Sequence, residues 1–184
     1  MKKAETNYAF IDGTNLYLTM VHVKWRLDFK RFRVYLREHY GVSTAYYFIG
    51  YMAENQGLYD SLKSWGYEVK HKQTLPLPDG RTKGNVDAEL VLQAMIDYKH
   101  YEKAVLVTSD GDFSCLVEYL ANHDKLLRVL APCLEGCSRL LRRAAGNHMD
   151  YLDNLRDKLE YKKRKEPRRD GTPQRSFPRD MSLI

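Results

Sequence analysis

Strand-length apolar runs alternate along this chain with segments of helical period, and no other feature restricts the fold as much. The runs cover residues 8–11, 45–51, 67–71, 104–108 and 126–131. After the first of them, Phe29, Phe32, Leu36 and Tyr40 recur at the spacing of one helix face, and Gly41 stands where that helix should stop. Gly66 closes residues 56–65 in the same way. Leu90, Val91, Ala94 and Met95 form the apolar stripe of residues 86–98, and Phe113, Leu116, Val117 and Leu120 that of residues 113–120. Strands separated by helices need crossover connections, which make the strands parallel and cover the sheet with helices. The expectation is an α/β fold around a central, mostly parallel sheet of about five strands.

Two segments break the rhythm. In residues 75–84, Pro76 and Pro78 forbid a helix or a central strand, and Pro78-Asp79-Gly80 signals a turn. An exposed loop or hairpin displaying Arg81 and Lys83 is expected there. The second segment is C-terminal. Residues 156–184 hold ten Lys and Arg against five Asp and Glu, so they carry +5 of the net charge of +6. This stretch is poor in aliphatic residues and cannot bury enough surface to offset the entropy of ordering. The division read from sequence is a domain over residues 1–155 and a basic, largely disordered tail over 156–184. Apolar runs of strand length are too short to cross a membrane. Met1-Lys2-Lys3 is followed by Ala4-Glu5-Thr6-Asn7 rather than by the apolar core of a signal peptide. Cys115, Cys133 and Cys137 have no CxxC spacing, and they read as reduced packing residues of a cytoplasmic protein.

The chemistry concentrates at two strand ends and one helix start. The first apolar run leads into Asp12-Gly13-Thr14-Asn15, the fourth into Ser109-Asp110-Gly111-Asp112, and Asp87 opens a helix after the proline-rich segment. A single aspartate after a strand is usually a helix cap. In an open α/β sheet, however, ligands bind beyond the carboxyl ends of the strands where the winding reverses. If the first and fourth strands are neighbours, Asp12, Asp110 and Asp112 meet at that edge. Clustered carboxylates repel, and oxygen-only donors suit a hard cation, Mg²⁺ or Mn²⁺, which relieves the repulsion. Such an ion acidifies water and clamps a phosphodiester, the requirements of phosphodiester hydrolysis. Other chemistries lack their residues. Phe10 stands where a haloacid-dehalogenase phosphatase has its nucleophilic aspartate, and neither GxSxG nor a GxGxxG turn after the first strand is present.

In order and approximate spacing, Phe10–Tyr17, Lys83–Asp87 and Ser109–Phe113 resemble the three signature motifs of the NYN domain, a PIN-like nuclease domain, and its LabA-like branch in particular. The resemblance implies a three-layer PIN-like (Rossmann-like) fold with Asp12, Asp87, Asp110 and Asp112 as the catalytic, metal-holding acids. It implies that Asn15 orders the cluster and its water. Relatives often carry a further acid where this chain has Gln93. The activity it implies is that of an endoribonuclease acting through water activated by Mg²⁺ or Mn²⁺. Lys83 and Arg81 are then phosphate contacts, and Thr14 and Ser109 orient water or ligands. The partner is RNA, single-stranded in this reading, with no membrane and with a homodimer as the implied assembly. Two alternatives stay open: a catalytically weak RNA- or protein-binding regulatory module, and a metal-dependent nuclease or phosphatase acting on DNA or small phosphoesters.

Overall fold

A computed structural model describes residues 6–73, 75–76, 82–83 and 86–162. The strands are β1 (Asn7–Asp12), β2 (Val42–Tyr51), β3 (Glu68–Gln73), β4 (Leu75–Pro76), β5 (Thr82–Lys83), β6 (Ala104–Val107), β7 (Leu126–Ala131) and β8 (Met149–Tyr151). The helices are α1 (Gly13–His22), α2 (Phe29–Tyr40), α3 (Gln56–Ser64), α4 (Asp87–Ile96), α5 (Ser114–Asn122), α6 (Arg139–Ala145) and α7 (Arg156–Leu159). Six strands form one sheet in the order β3-β2-β1-β6-β7-β8, and every pairing in it is parallel.

The period-two alternation of the strands divides the core between two faces. Ala9, Ile11, Tyr47, Ile49, Val105 and Val107 point to one side, where Leu16 of α1, Phe32 and Leu36 of α2 and Leu62 of α3 cover them. Phe10, Tyr46, Phe48 and Leu106 point to the other, under Leu90 and Ala94 of α4, Val117 of α5 and Leu141 of α6. The result is three layers, helices on sheet on helices. Phe32 and Leu36 are fully buried, each worth about 1.5–3 kcal/mol of transfer from water. The ends of α2 are those expected: Asp28 accepts the Arg31 N–H at 3.0 Å, and Gly41, at φ 62°, donates its N–H to the Leu36 carbonyl.

Buried Asn7 sets the register at the centre of the sheet. Its amide donates to the Tyr40 carbonyl at 2.7 Å and accepts the Lys103 N–H at 3.0 Å, joining the entrances to β1, β2 and β6. Successive connections run outward from β1 to β2 and β3, then return across to β6 and outward again to β7 and β8. The winding therefore reverses between β1 and β6, which pair from Tyr8 opposite Ala104 to Ile11 opposite Val107.

Two details extend what the sequence outlined. The sheet has six strands rather than about five, because the three half-buried residues of β8 are too short and mixed to register as an apolar run. The packed body also continues past residue 155: Leu159 of α7 is 2 % exposed in the core, the backbone of Leu27 pairs with Glu160, and Arg26 lies over the Tyr161 ring. Leu159 supplies the apolar contact that a reading of net charge overlooks. The rest of the expected tail, residues 163–184, lies outside the described residues. Among the described residues no helix is long and apolar enough to cross a membrane.

Candidate metal centre

β1 and β6 end side by side, and their next residues build a polar lattice beyond the sheet. Asp12 closes β1 and caps α1, its Oδ1 accepting the Asn15 N–H at 3.0 Å. Its Oδ2 accepts the Thr108 hydroxyl at 3.3 Å, and the same hydroxyl oxygen accepts the Asp110 N–H at 3.1 Å. Asn15 Oδ1 accepts both the N–H and the hydroxyl of Ser109, each at 2.9 Å. Residues almost a hundred positions apart are thus tied by three hydrogen bonds through Thr108 and Ser109, which are 1 % and 5 % exposed. Asp110 also accepts the Asp112 N–H at 3.0 Å, opening the short 3-10 turn Gly111–Phe113 that leads into α5.

Glycine is required where the first motif approaches β2. A Cβ on Gly13 would lie 2.4 Å from Cε1 of Tyr47 and 2.7 Å from the Phe48 carbonyl oxygen. The contact seats α1 directly on the sheet and fixes where Asn15 begins its reach across to Ser109.

Asp87 arrives from the other direction, as the first residue of α4 after the crossing from β3. It meets Asp110 and Asp112, and one carboxylate oxygen from each of the three lies within 4.8 Å of the others. Asp12 stands beneath this trio at 4 % exposure. Its carboxyl is pushed up to about 6, first by burial and then by repulsion from Asp87 and Asp110, against the lowering effect of the bonds from Asn15 and Thr108. Carboxylates crowded this closely repel one another, and a cation bound among them would remove that repulsion. All-oxygen donors at this spacing suit a hard divalent cation.

The remaining predicted residues divide. Thr14 is half-buried in the first turn of α1. Ser109 is buried with its hydroxyl given to Asn15, so it braces the lattice. Lys83 lies in β5, which pairs antiparallel with β4 and makes the expected hairpin, while Arg81 lies outside the described residues. Gln93 donates to Asp97 at 2.7 Å and stands apart from the trio. Sequence reasoning missed Thr108, although a polar residue directly between a buried strand and an acid was the available signal. It also missed residues 135–138 after β7, which line an open cavity beside Asp110 and Asp112. Nothing in their local pattern marks them.

The NYN domain family model matches residues 8–153. The low amplitude and bright protein LabA of Synechococcus elongatus is 28 % identical over 169 residues, spanning 86 % of this chain and 89 % of LabA. A crystal structure of a protein of unknown function from Vibrio parahaemolyticus matches with a TM-score of 0.71 at 22 % identity, over 88 % of this chain and 99 % of that one. That last likeness bears on the fold.

Proposed function

This chain belongs to the NYN domain family, and from that premise we propose that it is a metal-dependent endoribonuclease. The family places it in the PIN-like nuclease superfamily. The observation that carries the proposal is the convergence of Asp87, Asp110 and Asp112 over buried Asp12, where the winding of the sheet reverses. In this reading Asp87, Asp110 and Asp112 hold Mg²⁺ or Mn²⁺, and Asp12 adds charge from below. A divalent ion bound there supplies acidified water and a positive charge opposite the phosphate.

The protein's own part is preorganisation. Thr108 fixes Asp12 against the backbone of Asp110, and Asn15 holds Ser109, so the carboxylates keep their spacing as charge builds on the phosphate. Ser109 acts through Asn15 as a positioning residue. Lys83, in β5, and Arg81, two residues before it in the sequence, are the proposed phosphate contacts. Water attacks phosphorus in line and the bond to O3′ breaks, leaving a 5′-phosphate and a 3′-hydroxyl as the family resemblance implies.

The test is cleavage of a 5′-labelled single-stranded RNA by the full chain with Mn²⁺, with EDTA and with Asp110→Asn, beside matched DNA and a small phosphoester. Metal-dependent cutting of RNA that falls at least about a hundredfold in the variant is expected. Cutting that survives both EDTA and the substitution refutes the proposal. RNA binding without cutting would favour a regulatory module, and preferred turnover of DNA or the phosphoester would reassign the substrate.

A further inference from the structure

The open cavity next to the carboxylates has a volume of about 470 Å³, within the roughly 300–1,000 Å³ of clefts that hold small ligands. One wall is Asp110 and Asp112. The segment after β7 that carries Glu135 and Ser138 also lines the cavity, with Leu140 of α6. This segment is fastened to the site. The Ser138 N–H donates to the Ser109 carbonyl at 3.0 Å, and the Ser138 hydroxyl oxygen lies 2.4 Å from where a Cβ on Gly111 would be. Asp110 and Asp112 belong both to the trio and to the lining, so a chain whose phosphate sits at the trio has this cavity beside it.

The polar and apolar groups of the cavity differ in what they accept. Leu140 is 55 % exposed and offers an apolar surface to a ring face. Glu135 is exposed, lines the cavity, and makes no hydrogen bond or ion pair with another described residue. An ionised carboxylate only accepts hydrogen bonds. Guanine presents adjacent N1–H and N2–H donors that match its two oxygens. Adenine and cytosine present an amino group beside an acceptor, and uracil a single donor between two carbonyls that a carboxylate repels.

We propose that this cavity takes the nucleotide flanking the scissile phosphate, and that Glu135 is a specificity residue favouring guanine over uracil. The inference rests on the nuclease reading for the position of the phosphate, but its test does not depend on turnover. The full chain is titrated with GMP and with UMP in the presence of Mg²⁺, and binding is read from the amide NMR shifts of Gly111 and Gly136, both of which line the cavity. GMP binds about fivefold more tightly than UMP, with shifts at both glycines. In Glu135→Ala the ratio falls to about one, whichever way the loss of a negative charge moves the two affinities together. Using the ratio separates base selection from that general charge effect. Glu135→Gln, which keeps the size and offers a donor as well as an acceptor, also loses the preference.

Equal affinities in the unaltered chain, an unchanged ratio in Glu135→Ala, or shifts that leave Gly111 and Gly136 unmoved each overturn the inference. If GMP is preferred but no RNA is cut, the cavity stands as a nucleotide site and the catalytic proposal alone fails. If RNA is cut with no base preference that depends on Glu135, the catalytic proposal stands and this one fails.

Discussion

Replacing Asp12 by Asn tests whether burial and crowding of like charges govern this site. The Asp12 carboxyl is raised from 3.8 to about 6. A tenfold loss of acidity corresponds to about 1.4 kcal/mol, so its ionisation costs the folded protein about 3 kcal/mol. The sign follows from proton binding. Between the unfolded value near 4 and the folded value near 6 the native state holds more protons, so the contribution is complete below 4 and is lost as pH rises through 6. Asn is close in shape and keeps the lattice satisfied. Its oxygen accepts the Asn15 N–H, and its amide donates to the Thr108 oxygen, which has a second lone pair beyond the one facing the Asp110 N–H. Urea denaturation of both proteins in EDTA, at steps from about pH 4 to pH 8, gives the difference in stability. The two should be nearly equal at pH 4, and Asp12→Asn should be more stable by up to about 3 kcal/mol at pH 7.5. Mn²⁺ should narrow the gap, because it stabilises the state it binds and binds the full set of acids more tightly. Parallel pH profiles, or a variant less stable at neutral pH, would mean that the bonds from Asn15 and Thr108 outweigh burial, and the reasoning would be wrong.

Gly13→Ala should cost about 1–3 kcal/mol in urea denaturation, since its Cβ meets the Phe48 carbonyl and the Tyr47 ring. Gly111→Ala should cost less, because the closest atom there ends a short side chain, Ser138, that can rotate; the reverse ranking would contradict this packing. Asn15→Ala leaves the Ser109 N–H and hydroxyl without their acceptor and should cost about 1–3 kcal/mol by the same measurement. Burial pulls the Asp97 carboxyl up, but hydrogen bonds from Gln93, Tyr46 and His100 together hold it below its ordinary value. Its stabilisation is therefore present above about pH 4 and lost as pH falls further, so Asp97→Asn should flatten the acid limb of a stability–pH profile. Of the three thiols only Cys115 is exposed, so a thiol reagent should titrate one equivalent in the native protein and none in Cys115→Ser.

The local plan of the fold was legible because it depends on near neighbours. Alternating residues such as Phe10 and Ile11 announce a strand buried on both faces, and the spacing of Phe32, Leu36 and Tyr40 with Gly41 behind it announces a helix and its end. The same locality marked Asp12, Asp87 and Asp110 as acids at element boundaries. It failed for β8, whose three residues derive their strand character from pairing with β7, and for α7, where one apolar side chain outweighs the charged residues around it.

The sequence by itself determined the main strands and helices, with α6, α7 and β8 excepted, and which residue types stand at their ends. It contains no local signal for strand order. That β1 lies beside β6, so that Asp12 shares a hydroxyl with Asp110, follows from how the two faces of the whole sheet are covered. The crossing from β3 then brings Asp87 to Asp110 and Asp112, and the segment after β7 puts Glu135 in the lining of the cavity beside them. Only the tertiary structure could decide these meetings, because burying the two apolar faces selects the strand order, and the raised affinity of the Asp12 carboxyl for its proton exists only once the charges and the burial occupy one place.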